Sequence, residues 1–209
     1  MPAPLLPLFP LSVVLFPRTD LPLHVFEDRY KDMITDLLET TREFGVVLAL
    51  EKGIASVGCT ARIDEVAKTY DDGRMDLKTI GFRRFEIEDL DEGRSYLRGR
   101  VQFFDDESAE HPEEPIVQKA IRGYYSIRAL ETGQNLPEPR LNDQQLSFQL
   151  AQAVSDLNVR QMLLMSRNEA ERIRRLAEHF PLSAARERRI EHFRTIIPRN
   201  GHGRLLPGA

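Results

Sequence analysis

Outside one helical stretch over residues 26–38, the hydrophobic period changes once along this chain, and that change limits its fold more than any other feature. Before residue 105, apolar side chains recur at alternate positions between turn signals. After residue 115 they recur at i, i+3, i+4 and i+7, the period of a helix with one buried face. Between the two lies DDESAEHPEEP (105–115), acidic, proline-containing and nearly free of apolar residues, a linker by composition. The expected class is α+β, with a β subdomain over 1–108, a helical subdomain over 109–198 and a disordered tail over 199–209. A length of 209 residues suffices for one large domain or two small ones.

In the β half, Leu5–Leu15 is apolar and punctuated by prolines, which suits edge strands and turns. Leu21–Val25 reads as another short strand. Phe26, Tyr30, Met33, Ile34, Leu37 and Leu38 then mark one face of a helix, with Glu27 and Asp28 in the first turn, where the helix dipole favours negative charge. Phe44–Leu50 reads as a buried strand. Residues 59–104 form an antiparallel meander with turns at Asp71-Asp72-Gly73 and Asp91-Glu92-Gly93. Many short strands with regular turns predict a closed or nearly closed barrel. In the second half, helices are expected over Ile116–Glu131 with Gly133 close behind, from an Asp143 cap through Leu157, over Asn158–Met165 and over Asn168–Phe180. A last helix capped by Ser183 would carry Ile190, Phe193, Ile196 and Ile197 and stop at Pro198.

Several functions are excluded early. No apolar run approaches the ~20 residues that cross a bilayer. Pro2, Pro4, Pro7 and Pro10 break the apolar opening, which also lacks a basic start, so it is no export signal and the expected location is the cytoplasm. The single cysteine, Cys59, forms no internal disulfide and no cysteine-rich zinc site, and reads as a small core residue. Net charge is -4, against a generally nucleic-acid-binding surface. Residues 160–209 nevertheless hold eleven Arg against five Glu; solvated helix faces explain them, with an anion or partner patch as the alternative. His24, His111, His179, His192 and His202 are scattered, and none belongs to a metal or nucleophile motif. No cofactor is expected.

LPLFPLSVVLFPRTDLPLHVFEDRYKDMI resembles the opening of the Lon protease N-terminal, substrate-binding domain family. That family pairs an L-P-L-F-P-L strand with V-L-F-P-G and L-P-L-H-I-F-E-x-R-Y. Here the elements are Leu5–Leu11, Val14–Pro17 and Leu21–Tyr30, with Arg18 replacing the usual glycine. Phe44-Gly45-Val46-Val47, Val57–Ile63, Asp72-Gly73-Arg74, Gly81-x-Arg83-Arg84-Phe85 and the Leu146–Leu164 region follow in the family's order. The resemblance implies a PUA-like pseudobarrel followed by a helical bundle, and a role in engaging unfolded or tagged substrates. It also implies what to look for elsewhere: an ATPase with G-x-x-x-x-G-K-[ST] and a Ser-Lys peptidase. Neither motif occurs, and none of Lys31, Lys52, Lys68, Lys78 and Lys119 has such a context.

The expected function is therefore a non-enzymatic protein-binding module, a recognition or adaptor factor in quality control. Its partners would be unfolded or apolar-rich polypeptides and a protease complex, with no membrane. RNA binding is the alternative, since PUA-like barrels elsewhere bind RNA; the acidic barrel half argues against it. The candidate contacts are Leu8, Phe9 and Phe16 in an apolar groove beside the first helix, and Asp28, Arg29, Lys31 and Asp32 at that helix's opening, with Arg29 and Lys31 pointing away from its apolar face. His24, at the strand-to-helix junction, is expected to be structural.

Overall fold

The computed structural model describes residues 5–107, 110–130 and 136–196. Its elements run β1 (Leu6–Leu11), β2 (Asp20–Val25), α1 (Asp28–Leu38), β3 (Glu43–Ala49), β4 (Ile54–Thr69), β5 (Met75–Asp91), β6 (Arg98–Phe104), α2 (Glu114–Leu130), α3 (Leu146–Leu150), a 3-10 turn (Ala151–Ala153), α4 (Leu157–Met165) and α5 (Glu169–Ile196). The expected α+β class holds.

The sheet order is β2-β5-β4-β3-β1-β6, and β6 also pairs with β5. That extra pairing closes β5, β4, β3, β1 and β6 into a barrel. β5 serves it by its length: its first half pairs with β2 and its second half with β6. Register shifts at Cys59/Ala61, Ile63/Glu65 and Val66/Lys68 bend the long β4–β5 ribbon enough to close. The β4–β5 turn falls at Asp72-Gly73, with Gly73 at φ 81.

Two cores result. The smaller joins Leu8, Val47 and Phe85 with Leu6, Ile54, Ile87, Leu97 and Val101. Its members come from all five barrel strands, so it fills the barrel. Gly45 and Gly58 make room for the ring: a Cβ at either would lie 2.6 Å from Phe85 Cζ. The larger core coats the outside of the barrel and runs on into the helices. It includes Phe9, Tyr30, Met33 and Phe44 under α1, and Phe16, Phe148, Leu164, Ile173 and Phe180 under the helical half.

Four expectations change. β1 is not a free edge strand, because it lies between β3 and β6; β6 pairs only with Leu6 and Pro7, so most of β1 keeps one strand neighbour, the setting in which prolines survive. Phe26 precedes α1 instead of lining its buried face, and is 60% exposed. The helix expected from an Asp143 cap breaks: Val154 is extended, and Asp156 caps α4 through Asn158 N–H (2.8 Å) and Val159 N–H (3.3 Å). Asp143 instead pairs with Arg18 at 2.6 Å. Finally, α5 runs unbroken through Pro181 and Ser183. Proline there removes one backbone bond, while buried Phe180 and Ala184 on either side keep the helix packed, Phe180 directly over Gly123 of α2. Gly133, Ile197, Pro198 and the tail lie outside the described residues.

Candidate functional site: the cleft between barrel and helices

Two adjacent arginines in β5 set up the site. Strand alternation sends their side chains to opposite faces. Arg83 faces outward, 3.6 Å over the Phe103 ring and bonded to Glu43 Oε1 at 2.9 Å. Arg84 faces inward, 2% exposed, and donates to the carbonyls of Leu164 (3.0 Å) and Ser166 (2.6 Å) at the end of α4. Its Nη2 also meets Asp106 Oδ1 at 2.6 Å.

Asp106 is shared. Arg172 of α5, fully buried, grips both its oxygens at 2.7 and 2.6 Å, and bonds Glu169 (2.7 Å) and the Ser147 hydroxyl (2.8 Å). One carboxylate thus joins β5 to α5, and Arg84 ties both to the end of α4. Burial by itself would raise the Asp106 carboxyl, but bonds and charge from Arg172, with charge from Arg84, outweigh it and hold the group down to about 2. Burial raises Glu169 despite Ser147 and Arg172, and lowers Arg84 despite Asp106. The network is a fixed floor with its charges committed internally.

Above this floor opens a cleft of about 880 Å³. Pro17 and Arg18 of the β1–β2 loop form one wall. Asp105, Asp106, Glu110, His111, Pro112 and Glu114 form another, and Gln145, Leu146, Glu169 and Ile173 close the helical side. Phe82 stands at the rim, 43% exposed, with the Arg62 guanidinium 3.9 Å over its ring. Asp105, Glu110 and Glu114 are exposed on the rim. The cleft offers a concave, partly apolar surface with a negative edge.

The residues expected to contact a partner are distributed differently. Leu8, Phe9 and Phe16 are 0%, 6% and 0% exposed. The apolar groove beside the first helix is therefore absent at these positions, because alternate residues of β1 serve two cores: Leu8 fills the barrel and Phe9 stacks on Tyr30 at 4.0 Å under α1. Phe16 stacks on Phe148 at 5.4 Å beneath the helices. Asp28 and Asp32 are exposed, and Arg29 pairs with Glu27 at 2.8 Å. Lys31 does not project away. Its side chain is 22% exposed, bonds Asp28 (2.7 Å) and reaches the Asp72 carbonyl (3.3 Å), bracing α1 on the β4–β5 turn. His24 bonds Asp76 across the β2–β5 pair at 2.6 Å, and Tyr70 holds the other Asp76 oxygen at 2.8 Å, a local polar bracket. Cys59 is buried, and burial pushes its thiol up to about 12.

The cleft was not foreseen. Two signals pointed to it: consecutive arginines in a strand, one of which must face inward, and a paired Asp105-Asp106 at the start of the acidic linker.

Residues 5–183 match the family model of the ATP-dependent protease La (Lon) substrate-binding domain. The chain belongs to the Lon substrate-binding domain family. Among solved structures it is similar to the Lon N-terminal domain protein from Xanthomonas campestris, with TM-score 0.65 and 27% identity over 84% of this chain and 98% of that one. It also shares the fold of the N-terminal domain of Mycobacterium avium complex Lon protease, with TM-score 0.61, 15% identity, 85% of this chain and 98% of that one. The Lon match ends inside α5, which continues to Ile196. Floor, cleft and Phe82 all lie within the matched Lon region.

Proposed function

We propose that this Lon-family domain holds segments of unfolded polypeptide in the cleft between barrel and helices and presents them to a protease complex in the cytoplasm. The observation that carries this reading is the cleft itself: one exposed phenylalanine at its rim, carboxylates along its edge, and a floor locked by buried ion pairs. Such a surface favours extended segments that combine apolar and basic side chains. Burial of one client Leu or Phe against Phe82 contributes roughly 1.5–3 kcal/mol, and ordering a flexible chain consumes much of it. Weak, reversible binding follows, which suits a module that must hand its clients on. The same rim carboxylates repel phosphates, so the cleft is a poor RNA site.

The test is fluorescence anisotropy with a labelled unfolded protein, its folded form, and a structured RNA as control. Binding of the unfolded protein alone, weakened several-fold by Phe82→Ala, is expected. Equal binding of folded and unfolded forms, or none, overturns the reading. The purified chain is expected to show neither ATP hydrolysis nor casein cleavage in the same buffers.

A further inference from the structure

On the other side of the β1–β2 loop from the cleft lies a cation without an anion. Arg160 of α4 is partly buried, and among the described residues it meets no carboxylate. Nη2 donates to the Val14 carbonyl at 2.8 Å, and Nη1 makes long bonds of 3.4 and 3.3 Å to the carbonyls of Gln152 and Val154. Nε is buried with no partner. The guanidinium lies 4.9 Å over the Phe16 ring. Burial pulls its pKa down to about 10, the mark of a charge partly removed from water. By contrast, the buried Arg84 and Arg172 both have Asp106.

Two hollows, of about 180 and 200 Å³, flank this side chain and share Val13, Gln152 and Arg160. Their remaining walls are mostly apolar, with Leu21, Leu136 and Pro137 on one side and Val154 and Leu157 on the other. Asp20 stands at the edge of the first and is exposed. A ligand that fits must carry one negative charge beside a small apolar body. An interior Asp or Glu of a client brings a continuing backbone on both sides, which hollows of this size do not admit. A chain end brings a carboxylate with nothing beyond it.

We propose that the Arg160 hollows bind the C-terminal carboxylate of a polypeptide that ends in apolar residues. This rests on the domain's reading as a polypeptide-binding module and adds a second, end-specific contact to the cleft. Arg160 supplies charge-assisted hydrogen bonds to the carboxylate, and Val13, Leu136 and Leu157 cover the last side chains.

The probe is a fluorescein-labelled octapeptide ending in Leu-Val, made with a free carboxylate and with a C-terminal amide, titrated against the full chain. Amidation is expected to weaken binding roughly tenfold or more, the scale of a charge-assisted bond. Arg160→Met should abolish the difference between the two peptides, and Arg160→Lys should keep part of it. Because Arg160 also holds backbone carbonyls, Val13→Glu provides a second arm: it places a carboxylate at the wall shared by both hollows and should block the free-acid peptide while leaving the thermal midpoint near that of the parent. Equal affinity for acid and amide, or Val13→Glu binding like the parent, overturns the inference. Binding of an unfolded protein with a Phe82 dependence would survive that result, so the cleft reading and this one fail separately.

Discussion

At the residue scale, Asp106 and Lys31 behave in ways that composition conceals. Asp106 lies in an acidic linker yet is the shared anion of two buried arginines. Removing it leaves both guanidinium groups buried without their common partner, so Asp106→Asn is expected to cost about 3 kcal/mol at neutral pH, read from urea unfolding. Its folded carboxyl lies at about 2 against an ordinary 3.8. The stabilisation is therefore complete above the unfolded value and is lost as pH falls from about 4 through 2. Glu169, raised by burial, shifts the other way and offsets part of the loss. The Asn variant should show a flatter stability profile between about pH 4 and 2; an unchanged acid limb would mean the Asp106 pairing contributes little. For Lys31, charge reversal puts a carboxylate against Asp28 and the Asp72 carbonyl, so Lys31→Glu should lower stability by about 1 kcal/mol. Arg29→Glu, at an exposed position, should change it by less than about 0.5 kcal/mol. Equal effects in thermal unfolding would refute the bracing role.

At the element scale, the β1–β2 loop holds the two working surfaces apart, since Pro17 and Arg18 face the cleft while Val13 and Leu15 face the Arg160 hollows. One glycine pins it. Arg18 N–H donates to the Gly81 carbonyl (2.7 Å), and Gly81 N–H donates to the Thr19 carbonyl (2.9 Å). A Cβ on Gly81 would lie 2.0 Å from the Phe16 carbonyl oxygen, a backbone atom that cannot swing aside. Gly81→Ala is expected to destabilise by more than about 2 kcal/mol and to displace Phe16 from Phe148. Near-parental stability, or an unshifted loop by amide chemical shifts, would show that the loop is not held there.

At the scale of the whole molecule, the proposed division into 1–108 and 109–198 has to be weighed against a core that crosses it. Phe16 of the loop, Phe148 of α3 and Ile173 of α5 share one apolar cluster, and the Asp106 pairs span it. Limited proteolysis is expected to nick first between Phe104 and Glu114, where the described residues form no regular element. The two fragments should stay associated on a sizing column and unfold in one transition. Early cleavage within 60–100, or fragments that separate in native buffer, would contradict this arrangement.

Periodicity and turn chemistry were enough to read the strands, the position of α1 and the change from β to helix, because these depend on neighbours within a few residues. Gly73 in its turn and the continuous apolar run that buries β3 needed no tertiary information. The break after Ala153 and the continuity of α5 through Pro181 did need it: a cap or a proline states a local preference, and packing against α2 and the barrel decides whether that preference wins. The candidate site depended on the fold still more. Strand alternation says that one of Arg83 and Arg84 turns inward, but only closure of the barrel against α4 and α5 decides that Arg84 meets Asp106, that Leu8 and Phe9 are both covered, and that Arg160 bonds the Val14 carbonyl and meets no carboxylate among the described residues. Burial and charge pairing are set by residues distant in sequence, so the chain alone specified its layers and the tertiary structure specified its surfaces.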